Sequence, residues 1–195
     1  MLRRVMQELA SIIRSNPDFR VSINISANDL DDPSFFETLA DMLERTQIPA
    51  RCIILELTEH AAARRDQAVN GTKLLRARGH RVYIDDFGTG FSNLSYLNEL
   101  SIDALKVDRS FTETVGGSRL GSPVLPQILD MAKALKIDLV VEGIETEEQA
   151  QWFAVRSVAY GQGWLFHRPM DVQALRALVD EQHRANGPGE AGASA

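Results

Sequence analysis

Asp85 and Asp86 stand side by side at the end of an apolar run, Val82-Tyr83-Ile84, and are followed by Phe87-Gly88-Thr89-Gly90. Adjacent like charges repel, so solvent, a lysine or arginine, or a metal ion must offset the repulsion. Similar chemistry recurs along the chain. Asn24, Glu56 and Glu59, Lys106 and Asp108, Glu142 and Glu145, and Gln162 each lie at or just beyond the end of a short β-branched run. A lone carboxylate in such a place usually caps a helix, shapes a turn or joins a surface ion pair. That reading weakens when it must be repeated at every run with oxygen donors predominating.

Hard divalent cations such as Mg2+ and Mn2+ take about six oxygen ligands from carboxylates, amides and water. Asn24, Glu56, Asp85, Asp86 and Glu142 offer that chemistry. No histidine or cysteine ends a run, which speaks against a zinc site. His60, His80, His167 and His183 follow no ligand spacing and read as loop and surface residues. Two successive carboxylates can bridge two cations about 3.5–4 Å apart, an arrangement suited to activating water for in-line displacement at phosphorus. Phosphodiester hydrolysis follows as the expected chemistry. Lys106 would steady the nucleophilic water or the developing charge, although a lysine simply paired with a neighbouring carboxylate fits equally well.

Such residues need a scaffold that delivers them to one place. Strands are expected over 20–26, 52–59, 81–86, 104–108, 138–143 and 157–163, and helices over 33–46, 66–78, 92–100, 123–136, 147–155 and 172–184. Asp32 before Pro33 reads as a helix N-cap, Gly79 as a helix stop, and Thr146 with Gln149 as a capping box. Leu2, Val5, Met6, Leu9, Ile12 and Ile13 follow helical spacing, and Gln7 and Glu8 interrupt any signal-peptide core. Strand–helix alternation implies parallel strands covered by helices, so the fold class is α/β, either an open doubly wound sheet or a (β/α) barrel. In both, reactive groups gather at the carboxyl ends of the strands. A complete barrel has eight strands and about 250 residues, so a barrel reading leaves about two strands to precede Met1.

With 195 residues and 44% apolar content, one domain with a sizeable core is expected over 1–184, and residues 185–195 read as a disordered tail. The net charge of −6 argues against a nucleic-acid polymer or an anionic membrane as partner. No run approaches the roughly 20 apolar residues of a membrane span. The single cysteine, Cys52, sits among apolar residues and reads as a buried thiol in a reducing compartment, the cytoplasm.

The ordered series Asn24-Ile25-Ser26, Leu55-Glu56-Leu57-Thr58-Glu59, residues 85–94, residues 105–111, residues 140–146 and residues 160–170 resembles the EAL domain family of bacterial cyclic di-GMP phosphodiesterases. The resemblance covers nearly all of residues 1–180. It implies a modified, TIM-like (β/α) barrel, two Mg2+ or Mn2+ ions, and opening of cyclic di-GMP to linear pGpG. Position by position, it makes Asn24, Glu56, Asp85, Asp86 and Glu142 metal ligands and Lys106 the lysine that orients water. Glu59 would hold the loop after Asp86, Glu145 would act beside the ligands, and Gln162 would line the substrate pocket. A homodimer contact through the loop after Asp86 is also implied. The Glu-Ala-Leu motif that names the family, with its nearby arginine, does not occur in this sequence. The expectation is therefore a partial domain with about six of eight strands, hydrolysing negligibly as this chain alone. The second reading is a non-catalytic cyclic di-GMP receptor or interaction module.

Overall fold

The computed structural model describes residues 2–16, 18–89, 94–115 and 122–185. In chain order the elements are α1 (Leu2–Ser15), β1 (Val21–Ile25), α2 (Ala27–Asp31), α3 (Pro33–Thr46), a 3-10 turn (Ala50–Cys52), β2 (Ile53–Thr58), α4 (Glu59–Ala62), α5 (Arg65–Ala77) and β3 (Arg81–Phe87). A second 3-10 stretch (Leu94–Glu99), β4 (Ala104–Val107), α6 (Arg109–Thr112), α7 (Leu125–Leu135), β5 (Asp138–Val141), α8 (Glu147–Ala154), β6 (Tyr160–Gly161) and α9 (Val172–Ala185) complete it. The six strands form one sheet in the order β1-β2-β3-β4-β5-β6, every pair parallel. This is the α/β strand–helix alternation expected from the sequence, curled as half of a barrel. Among the described residues β1 and β6 each have one neighbour, and Ser22 and Asn24 on β1 are exposed.

The two faces of the sheet separate by the period-2 rule of strands. Ile23 and Ile25, Ile53, Leu55 and Leu57, Val82 and Ile84, Leu105 and Val107, and Leu139 and Val141 face the helices and form the main core. On the other face Ile54, Tyr83, Ala104 and Val140 make a small apolar cluster. Two residues further along the same strands stand Glu56, Asp85, Lys106 and Glu142. An apolar layer thus underlies a charged one, and the strand period alone dictates it.

The helix caps agree with the sequence. Asp32 accepts from the Ser34 amide with Pro33 in the first turn, and Thr146 and Gln149 form a reciprocal box. Gly79 takes φ +90° just past α5, a conformation that costs glycine little. α1 buries Met6, Leu9, Ala10, Ile12 and Ile13. Cys52 is buried, as expected.

Several expectations need correction. The part of 92–100 that is described is a 3-10 stretch, Leu94–Glu99, not an α-helix; Ser95 and Asn98 are poor helix formers and short 3-10 pieces serve as connectors. The strand expected over 157–163 is only Tyr160–Gly161, because Ser157 at φ 64° turns the chain beforehand and glycines give the segment little to pack. His80 is no surface residue. It is 4% exposed, with Nδ1 3.3 Å from the Ile53 carbonyl oxygen, and burial pushes its imidazole pKa down. His60 and His167 are exposed. The expected disordered tail lies outside the described residues from 186 onward, and α9 itself runs to Ala185.

Candidate metal centre

The charged layer converges on one ammonium group. Lys106 Nζ lies 2.9 Å from Glu56 Oε2, 2.9 Å from Asp85 Oδ1 and 2.6 Å from Glu142 Oε1. Glu56, Asp85 and Lys106 are all buried, and Glu142 is half-buried. Each comes from a different strand or strand end, so only the parallel register of β2, β3, β4 and β5 assembles them.

Asp86 joins them through a local irregularity. In a regular strand Asp85 and Asp86 would point to opposite faces. The pairing of β3 with β4 shifts register between Ile84 and Phe87, and Asp86 sits at φ 56°, in the left-handed region. A bulge of this kind re-aims side chains. Oxygens of Asp85, Asp86 and Glu142 consequently lie within 4.8 Å of one another. The turn is tied down by the Asp86 amide donating to Asp85 Oδ1 at 3.0 Å and the Thr89 hydroxyl donating to the Asp86 carbonyl at 2.9 Å. The Gly88 amide donates to Glu59 Oε2 at 2.8 Å. Glu59 is the first residue of α4 and is 6% exposed.

Three carboxylates here share a single ammonium, with Asp86 as a fourth beside them. Burial alone would lower the Lys106 pKa, but the hydrogen bonds it donates to Glu142, Asp85 and Glu56 outweigh it, so the ammonium keeps its proton. Burial pushes the Glu142 carboxyl up, with the negative charges of Asp85 and Glu56 adding to it against the pull of Lys106. Asp86, exposed at the edge of the cluster, is likewise raised, by partial desolvation and then by Asp85. The site therefore holds more negative charge than its lysine compensates. A cluster of oxygen donors with surplus negative charge around a point already occupied by a cationic group fits a hard divalent cation.

The remaining sequence-chosen residues lie around this cluster. Asn24 pairs in register with Glu56, which puts its side chain on the same face one strand over. Glu145 is not in the cluster; its carboxylate lies 3.5 Å from Arg109 Nη2 at the rim. Gln162 borders two clefts, one of about 510 Å3 shared with Glu56, Lys106 and Tyr83, the other of about 480 Å3 shared with Glu142, Glu145 and Arg109. Asp108 caps α6 by accepting from the Ser110 amide, the ordinary role of such a residue. The loop after Asp86 is described only to Thr89, so the expected dimer contact falls partly on residues 90–93, outside the described residues. Sequence reasoning missed Thr112, whose hydroxyl bonds the Glu142 carbonyl, and Arg109, whose guanidinium stands 5.9 Å from the Trp164 ring centroid. The capping box made Gln149 visible but not its further bond to α6. A third hollow, of about 420 Å3 at the opposite ends of the strands, holds the ion pairs Arg76–Asp103 and Arg81–Asp138.

The geometry can be set beside known proteins. A family model described as the EAL domain matches residues 1–169. The chain is 38% identical over 183 residues to the probable cyclic di-GMP phosphodiesterase PdeB of Escherichia coli, covering 94% of this chain and 34% of that protein. It is 38% identical over 177 residues to a cyclic di-GMP phosphodiesterase of Pseudomonas aeruginosa, covering 90% and 30%. The chain thus spans about a third of the length of these curated relatives. Among solved structures, the EAL domain of Mycobacterium smegmatis DcpA superposes with a TM-score of 0.84 at 30% identity, over 92% of this chain and 82% of that one. The PaMucR phosphodiesterase in complex with c-di-GMP gives 0.81 at 29% identity, over 89% and 71%. A charged layer built on a half-barrel, a family match over most of the chain and relatives above 30% identity agree: the chain belongs to the EAL domain family.

Proposed function

We propose that this chain carries the metal-binding half of a phosphodiesterase that hydrolyses cyclic di-GMP to linear pGpG with two Mg2+ or Mn2+ ions. The observation that carries the reading is the convergence of Glu56, Asp85 and Glu142 on Lys106, with Asp86 gathered against Asp85 and Glu142, at the carboxyl ends of the strands. Those four carboxylates hold the cations, and Asn24 adds a neutral oxygen. Bound there, the cations supply polarisation of a phosphoryl oxygen and a water of lowered pKa. Lys106 stays protonated and donates to the attacking water or to charge developing on the phosphate. Glu59 keeps Asp86 in place by accepting from the Gly88 amide. Gln162 offers amide hydrogen bonds to substrate from the cleft wall, and Glu145 holds the rim through Arg109. We further propose a homodimer contact through the loop after Asp86, and a cytoplasmic site of action; among the described residues no helix is long and apolar enough to cross a membrane.

The test is chromatographic detection of pGpG from cyclic di-GMP, using a version extended upstream to include a Glu-Ala-Leu strand, with Mn2+, with Mg2+ and with a chelator. Metal-dependent pGpG supports the reading. Binding of cyclic di-GMP without turnover by the extended version would favour the receptor reading.

A further inference from the structure

α6 is a single turn, Arg109–Thr112, yet it touches both loops that carry ligand carboxylates. Phe111 lies so close to Gly88 that a Cβ placed there would come within 2.5 Å of Phe111 Cε2. On the other side Gly143, at φ +73°, leaves room for Arg109, whose Cγ would be 2.5 Å from an added Cβ. Between these contacts Thr112, 0% exposed, donates from Oγ1 to the Glu142 carbonyl at 2.5 Å. Gln149 Nε2 donates to the Thr112 carbonyl at 3.2 Å, while Gln149 Oε1 accepts from the amides of Glu145 at 2.8 Å and Thr146 at 3.1 Å.

The bond to Glu142 has a topological origin. The Glu142 amide donates to the Val107 carbonyl, continuing the ladder between β5 and β4. In a parallel ladder the Glu142 carbonyl would next accept from the amide two residues beyond Val107, that of Arg109. The chain has by then turned into α6, and the Thr112 hydroxyl takes the vacated place. A buried threonine in a helix usually bonds back to its own preceding turn; this one reaches across to a different strand end.

We propose that Thr112 is a positioning residue for the Glu142 carboxylate, acting through the Glu142 carbonyl and braced by Gln149. α6 thereby couples the end of β3, which bears Asp85 and Asp86, to the segment after β5 that bears Glu142, so that both halves of the carboxylate set keep one geometry. The inference rests on the metal-binding reading above. Its test is Mn2+ titration of the 195-residue chain, followed by electron paramagnetic resonance of free Mn2+, alongside thermal unfolding. Thr112→Val keeps the shape and removes the donor, and should weaken Mn2+ binding about 10-fold, the loss typical of a residue that orients a ligand. Thr112→Ser, which restores the hydroxyl, should return affinity to within about twofold of wild type. Should Thr112→Val not fold, Gln149→Met replaces it and should weaken Mn2+ binding severalfold. Unchanged Mn2+ affinity in Thr112→Val, or in Gln149→Met where that variant stands in, overturns the inference alone. Equal losses in the Val and Ser variants overturn it too, since packing would then explain both. A wild-type chain that binds no Mn2+ overturns this inference for the chain, while the metal reading is decided separately by whether the extended version gives metal-dependent pGpG.

Discussion

Lys106 does for this cluster what a metal ion would otherwise do: it keeps three carboxylates from three strand ends within reach of one another. Removing one partner of a buried ion pair costs about 3–5 kcal/mol because the other charge is left uncompensated. Lys106→Met should therefore lower the melting temperature markedly in a chelator, and Mn2+ should recover part of the loss by binding the folded state alone. Equal melting with and without Mn2+ would contradict the picture. Asp85→Asn replaces a charged donor with a neutral amide oxygen. In the extended version it should reduce turnover and Mn2+ affinity by more than the roughly 10- to 100-fold typical of residues that only support a ligand. Glu147→Gln is the contrast, since Glu147 is exposed in the first turn of α8 and contributes about 0.3–1 kcal/mol through the helix dipole. Comparable losses in the two variants would remove the distinction. His80 gives a pH prediction. Its pKa in the fold is lowered, so above the ordinary value near 6.5 it is neutral in both states and costs nothing. Below that, the unfolded chain takes up a proton that the fold refuses, and stability falls by about 1.4 kcal/mol per pH unit until the lowered pKa is reached. Denaturant unfolding at pH 7, 6 and 5 should show a shallower decline in His80→Gln than in wild type; parallel curves would exclude His80 as the cause.

At the scale of elements, the bulge in β3 is what lets neighbouring aspartates serve one site. Holding a residue with a side chain in the left-handed region costs of order 1 kcal/mol, less for Asp than for most. Asp86→Gly relieves that cost and the repulsion from Asp85, at the expense of the extra freedom of glycine in the unfolded chain. The melting temperature should hold or rise, while Mn2+ affinity drops. A variant that lost both stability and metal binding would show that Asp86 also braces the turn. Strand positions were legible in the sequence to within a few residues for β1 to β5, because each alternates an apolar core face with a second face. The single turns α4 and α6 were not, since four residues show no helical period. The register shift between Ile84 and Phe87 left no trace in residue types either. Asp86 at positive φ is visible only once the chain is seen to turn there.

For the whole molecule, the open inner face at β1 is the decisive feature. Ser22 and Asn24 are exposed on the edge strand β1, so Asn24 has Glu56 on one flank and nothing described on the other. The family resemblance places one more carboxylate and a phosphate-binding arginine on a Glu-Ala-Leu strand absent from these 195 residues. Among the described residues β1 has β2 as its one neighbour, and an unpaired strand edge is a liability for association. The chain alone should give negligible pGpG, while the extended version at equal concentration should give Mg2+- or Mn2+-dependent product. Robust product from the short chain would show that the further strand is dispensable.

The sequence by itself determined the strand–helix alternation, the caps, and the oxygen-rich set of residues at strand ends, because these follow from local periodicity and residue chemistry. Only the tertiary structure decided that Glu56, Asp85 and Glu142 share one lysine, that Asp86 swings to the same face as Asp85, and that His80 is buried. It also decided that Thr112 completes a ladder which β4 abandons. Each of these depends on pairing between segments tens of residues apart, or on a single backbone angle, and neither is written in the order of residue types along the chain.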